Sequence, residues 1–115
     1  MRNTYSRVKG FLWRLFPEME CRMEERFIEK KLVEAVRKMG GICPKFVSPG
    51  LDGVPDRIIL MPGGRMAFAE LKAPGKKLRP LQIRRKRQME SLGFTVYCID
   101  GTEQIGGILD EIRST

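Results

Sequence analysis

Asp56, Glu70 and Lys72 are the residues of this chain whose types and spacing could carry chemistry. Residues 54–61 and 65–71 read as two strands around Pro62-Gly63-Gly64, a composition that marks a hairpin turn. With a three-residue loop, Met61 faces Arg65 and, counting back, Asp56 lies opposite Glu70. Side chains alternate along a strand, so Asp56, Ile58, Leu60, Met66, Phe68 and Glu70 share one face. That face is apolar except at the open end of the hairpin, where two carboxylates become cross-strand neighbours. Lys72 projects the same way. Like charges placed opposite each other destabilise a hairpin, and a hard divalent cation held by oxygen ligands is the natural compensation. An adjacent lysine can hold a water or stabilise developing negative charge. Together these groups are a minimal kit for metal-assisted hydrolysis of a phosphodiester. The plainer alternative is three ordinary surface residues.

The elements around the hairpin must bring these groups together. Residues 20–39 are patterned as a helix, with Ile28, Leu32, Ala35, Val36 and Met39 on one stripe, ending at Gly40-Gly41. At 100° per residue Glu25 falls near the centre of that stripe and Glu29 on its edge. An acid on a buried stripe is costly unless paired or metal-bound. The first helix would therefore bring a third carboxylate to the site, unless it frays before Glu25. Residues 42–47 read as a short strand and 48–53 as a loop. Pro80 opens a second helix that runs to about Leu92 and stops at Gly93. Residues 94–99 form an apolar strand, and residues 102–113 a last helix with Thr102 as N-cap. The order α-β-β-β-α-β-α predicts an α/β fold, a mixed sheet with helices packed on it.

Charge singles out a partner. Between Glu70 and Glu90 lie Lys72, Lys76, Lys77, Arg79, Arg84, Arg85, Lys86 and Arg87, with no acid among them. A solvated helix face usually intersperses acids to form i,i+4 pairs, and this block does not. A phosphate backbone would run from it into the carboxylates, with Lys76, Lys77, Arg79, Arg84, Arg85 and Arg87 as the DNA-binding residues. The whole chain of 115 residues carries a net charge of +8, which favours polyanions. With 42% hydrophobic and 31% charged residues it has the composition of one globular domain. Histidine is absent, which excludes a His base or ligand. Cys21, Cys43 and Cys98 form no CxxC pair, so a zinc site is not expected, and reduced thiols point to the cytoplasm. No apolar run is long enough to span a bilayer.

The residues that carry these features also resemble a family. Val54-Pro55-Asp56 with Glu70-Leu71-Lys72 matches the PD-(D/E)XK pattern. The wider string is similar to the stand-alone VRR-NUC nucleases of phages and bacteria. It comprises Gly40-Gly41, Lys45-Phe46, Ser48-Pro49-Gly50, Gly53 to Arg57, Pro62-Gly63-Gly64, Phe68 to Lys72, Pro74-Gly75 and Gln82. The match covers roughly residues 23–100, which sets a nuclease domain at 23–115 and an N-terminal extension at 1–22. The resemblance implies a restriction-endonuclease-like fold and Mg²⁺ or Mn²⁺ held by Asp56, Glu70 and the carbonyl of Leu71. It implies an acid from the first helix, Glu25 or Glu29, with Lys72 as the catalytic lysine and Gln82 in support. It further implies a homodimer that cuts branched DNA such as Holliday junctions, in the host cytoplasm if phage-encoded. The extension is not explained by the family pattern; its cluster Phe11, Trp13 and Phe16 is a candidate dimer element, as is the outer face of the last helix. The competing expectations are a non-catalytic basic nucleic-acid-binding module and a structural phage component, neither of which needs Asp56, Glu70 and Lys72.

Overall fold

The computed structural model describes residues 17–115, so Phe11, Trp13 and Phe16 lie outside the described residues. Among the described residues there are three helices and three strands: α1 (Pro17–Lys38), β1 (Arg57–Met61), β2 (Arg65–Leu71), α2 (Pro80–Ser91), β3 (Val96–Ile99) and α3 (Ile105–Arg113). β1 and β2 pair antiparallel and β2 and β3 parallel, which gives a mixed sheet in the order β1-β2-β3. α1 begins at Pro17, so residues 17–22 of the expected extension are the first turns of this helix.

Helix α1 forms because its apolar residues recur at helical spacing. Ile28, Leu32 and Val36 are buried, and Ala35 and Met39 pack against them, as the stripe predicts. Gly40 ends the helix at φ +84°, a conformation that only glycine adopts without strain, and the Gly41 N–H returns to the Val36 carbonyl at 3.0 Å. The stripe packs on one face of the sheet, formed by Ile59, Met61, Ala67, Ala69 and Leu71, and α3 adds Ile105, Leu109 and Ile112 to the same core. The hairpin register is the expected one, with Met61 opposite Arg65 and Arg57 opposite Ala69.

Two elements differ from expectation in detail. Residues 42–47 do not form a continuous strand; they touch β1 through isolated bridges at Ile42–Leu60 and Lys45–Arg57. Pro44 has no N–H to donate, although its carbonyl accepts the Ile58 N–H at 3.0 Å. The last helix begins as a 3₁₀ turn, Thr102–Gln104, with Gly101 at the cap position in place of Thr102. Gln104 ties this turn back to the end of β3: its side chain accepts the Asp100 N–H at 3.0 Å and donates to Asp100 Oδ1 at 2.8 Å.

The face of the sheet opposite the α1 stripe carries the chemistry. Phe46, Phe68 and Phe94 meet there with ring centroids 5.5 and 6.0 Å apart. Helix α2 lies along β3 and buries none of its residues, so its basic side chains stay near the surface.

Candidate active site

Glu70 is the buried charged residue of the described chain, 3% exposed in the middle of the sheet. The alternation of β2 places it on the aromatic face, two residues beyond Phe68. Continuing the hairpin register by one step sets Asp56 across from it. The two carboxyls share a hydrogen bond. Asp56 is also fixed from the backbone: its Oδ2 accepts the Leu71 N–H at 2.9 Å. Burial first, then the hydrogen bond and charge of Asp56, push the Glu70 carboxyl well above the ordinary carboxylate range, against the pull of Lys72. A proton shared between two close carboxyls is the metal-free answer to their repulsion.

Glu25 and Glu29 lie one turn apart on α1 and do different things. Glu25 lines one groove with Lys72, and burial, then the charge of Asp56, raises its carboxyl above the usual range. Glu29 accepts a hydrogen bond from Arg57 Nε at 2.8 Å and is committed to that ion pair. Arg57 is the residue whose role the sequence reading missed. Its signal was the alternation itself, which sends the residue after Asp56 toward α1.

A groove of about 460 Å³ opens beside these acids, lined by Glu18, Cys21, Arg22, Glu25, Lys72, Ala73, Lys76, Lys77 and Arg79. It brings Lys76, Lys77 and Arg79 to the acidic residues and adds Arg22, which the basic block did not include. Arg84 and Arg87 are exposed on α2. Arg85 is not free in the same way: its guanidinium donates to the Asp52 carbonyl at 2.8 Å and also to Gln88. Gln82 accepts the Arg79 N–H at 2.9 Å and so closes the start of α2 beside the groove.

The loop before Asp56 is seated against α2. Gly53 sits at φ +78°, and a Cβ there would come within 2.9 Å of both the side chain and the carbonyl of Leu81. Together with the Arg85–Asp52 contact, this close approach sets where Val54-Pro55-Asp56 enters the sheet. Cys98 pairs with Glu70 in the parallel register, and burial followed by the charges of Asp100 and Glu70 raises its thiol. Burial also pushes the Cys43 thiol up to about 11, which leaves it an unreactive core group.

Among the described residues no three Asp, Glu or Cys side chains converge as a ready-made metal cage. The donor set nevertheless fits a hard divalent cation. A nearly fully buried carboxyl has no Lys or Arg ion pair among the described residues, and its neighbours are a carboxylate and a half-buried acid. A cation would replace the shared proton as the group that balances them.

A mixed sheet with carboxylates set across a hairpin and a lysine two residues on is the frame of a nuclease domain. A solved structure described as "VRR_NUC domain" is similar to this chain with a TM-score of 0.71 and 25% identity, over 76% of this chain and 95% of that one. "Putative nuclease p44" of Acyrthosiphon pisum secondary endosymbiont phage 1 is 46% identical over 91 residues, 79% of this chain and 97% of its own length. No family model matches the chain. With a relative this close along nearly its whole length, the chain belongs to the stand-alone VRR-NUC nucleases.

Proposed function

We propose that the protein is a Mg²⁺- or Mn²⁺-dependent DNA endonuclease with its active centre at Asp56, Glu70 and Lys72. The observation that carries this reading is Glu70, buried, hydrogen-bonded to Asp56 and bordered by a groove rich in Lys and Arg. Asp56, Glu70, Glu25 and the main-chain carbonyl of Leu71 are the groups that would hold the cation. When bound, a divalent cation makes water a stronger nucleophile and offsets charge on the reacting phosphoryl group. Lys72 shares the face of Glu70 and serves as the donor that orients a water or stabilises developing negative charge. Asp56, locked to the Leu71 N–H, keeps the carboxyls in register without rearrangement at the moment of reaction. Lys76, Lys77, Arg79, Arg84 and Arg87 guide the phosphate backbone toward these groups, while Gln82 shapes the rim.

The substrate in this reading is branched DNA, cut by a homodimer in the cytoplasm. A four-way junction has two-fold symmetry, and resolving it takes paired nicks on opposed strands; a two-fold dimer supplies sites related in the same way. Among the described residues no helix is long and apolar enough to cross a membrane, which fits a partner in the aqueous phase. The test is cleavage of a four-way junction and a matched linear duplex with Mg²⁺, Mn²⁺, Ca²⁺ or EDTA, alongside light scattering at micromolar concentration. Cleavage with Mg²⁺ or Mn²⁺, none in EDTA, preference for the junction and a dimer mass are expected. Undiminished cleavage in excess EDTA overturns the metal mechanism; a monomer that cuts both substrates equally overturns the junction specificity and leaves the nuclease.

A further inference from the structure

Asp56 and Arg57 are consecutive at the entry to β1, Asp56 in the bend before the strand with its carboxyl on the Leu71 N–H, and Arg57 the first strand residue. Arg57 turns toward α1. Its Nε donates to Glu29 Oε2 at 2.8 Å and its Nη1 to the Cys43 carbonyl at 2.8 Å. The two side chains of the ion pair are 15% and 25% exposed, so water screens them little. One guanidinium thus joins helix α1, the segment before β1, and β1 itself. Glu25, one turn before Glu29 and on the same side of the helix, lines the groove together with Lys72, within electrostatic reach of Asp56. Arg57 at the start of β1 therefore grips the turn of α1 at Glu29, one turn from the Glu25 that lines the groove with Lys72.

The buried residues of α1 are Ile28, Leu32 and Val36, and none precedes Ile28. Packing of these residues holds the later turns of α1 on the sheet, and the Glu29–Arg57 ion pair adds a polar tie one turn from Glu25. Glu25 and Glu29 also repel each other at i,i+4 spacing, and the guanidinium offsets one of the two charges.

We propose that Glu29 and Arg57 are positioning residues that hold Glu25 beside Asp56, so that Glu29 governs metal affinity without touching the metal. The proposal rests on the reading of Glu25 as a ligand. Mn²⁺ binding to the full chain, read by electron paramagnetic resonance, tests it as a double-mutant cycle with Glu25→Ala, Glu29→Ala and both together. Glu29→Ala is expected to weaken Mn²⁺ binding roughly tenfold, the range seen for groups that orient a ligand. The double variant is expected to bind no more weakly than Glu25→Ala, because Glu29 acts only through Glu25. Glu29→Gln keeps an acceptor for Arg57 Nε and is expected to restore most of the affinity, which a lost ligand would not do. Melting temperatures confirm that each variant is folded. Additive losses, a Glu29→Gln as weak as Glu29→Ala, or a Glu29→Ala that binds like the wild type would each overturn the clamp. If Glu25→Ala itself binds Mn²⁺ normally, it is the assignment of Glu25 as a ligand that fails.

Discussion

Asp56 Oδ2 accepts the backbone N–H of Leu71 at 2.9 Å. This bond ties the side chain of one strand to the main chain of the next and leaves Glu70, the residue before Leu71, held against the Asp56 carboxyl. Asp56→Asn retains an acceptor of the same shape for the Leu71 N–H but removes the charge. It is expected to melt within about 1 kcal/mol of the wild type, since a net hydrogen bond is worth about that much. Asp56→Ala leaves the Leu71 N–H without this partner and is expected to cost about 1–3 kcal/mol. Both are expected to lose cleavage by at least about 10²-fold, the loss typical of removing one preorganised electrostatic group. Urea unfolding with single-turnover cleavage checks the split between fold and chemistry.

The raised carboxyl of Glu70 has a pH consequence with a definite sign. In the metal-free protein Glu70 keeps its proton in the native state at pH values where the unfolded chain has already released it. The unfolded state then binds fewer protons, so native stability falls as pH rises from the ordinary carboxylate range toward the raised native value. Glu70→Gln is expected to flatten that fall, and a divalent cation to reverse it by replacing the proton. Mn²⁺ binding at pH 7 is then expected to release close to one proton per site. Calorimetry of Mn²⁺ binding in buffers of different ionisation enthalpy reads the release; no buffer dependence would count against a protonated Glu70.

The basic helix is expected to split by function. Arg84 and Arg87 are exposed, whereas Arg85 holds the Asp52 carbonyl of the loop before Asp56. Arg84→Ala and Arg87→Ala should weaken DNA binding at similar kcat and lower the salt slope by about 0.9 per lost phosphate contact. Arg85→Ala should instead lower kcat and stability, with Gly53→Ala behaving alike because a Cβ there strikes Leu81. A salt titration of binding by fluorescence anisotropy, set beside kcat, separates the two groups. If Arg85→Ala changes only the salt slope, the loop is seated by other contacts.

Much of this protein was legible in its sequence because the relevant patterns are local. Period 3.6 marked α1 and its buried Ile28, Leu32 and Val36; period 2 and the Pro62-Gly63-Gly64 turn set the hairpin register that brings Asp56 opposite Glu70. The acid-free run from Lys72 to Arg87 is likewise local, and it does line the groove and α2. Tertiary structure decided what local pattern cannot encode, namely which of several equivalent groups meets which partner. Glu25 and Glu29 are one helical turn apart and chemically identical, yet one lines the groove with Lys72 and the other is taken by Arg57. Arg84, Arg85 and Arg87 look alike in the chain, but the loop that packs at Gly53 claims only Arg85. Residues 42–47 become isolated bridges rather than a strand, since the segment begins after a helix stop and contains a proline that has no N–H to continue a ladder with β1. Each of these outcomes depends on distances between segments far apart in the chain, and those distances exist only once α1 and α2 have packed on the sheet.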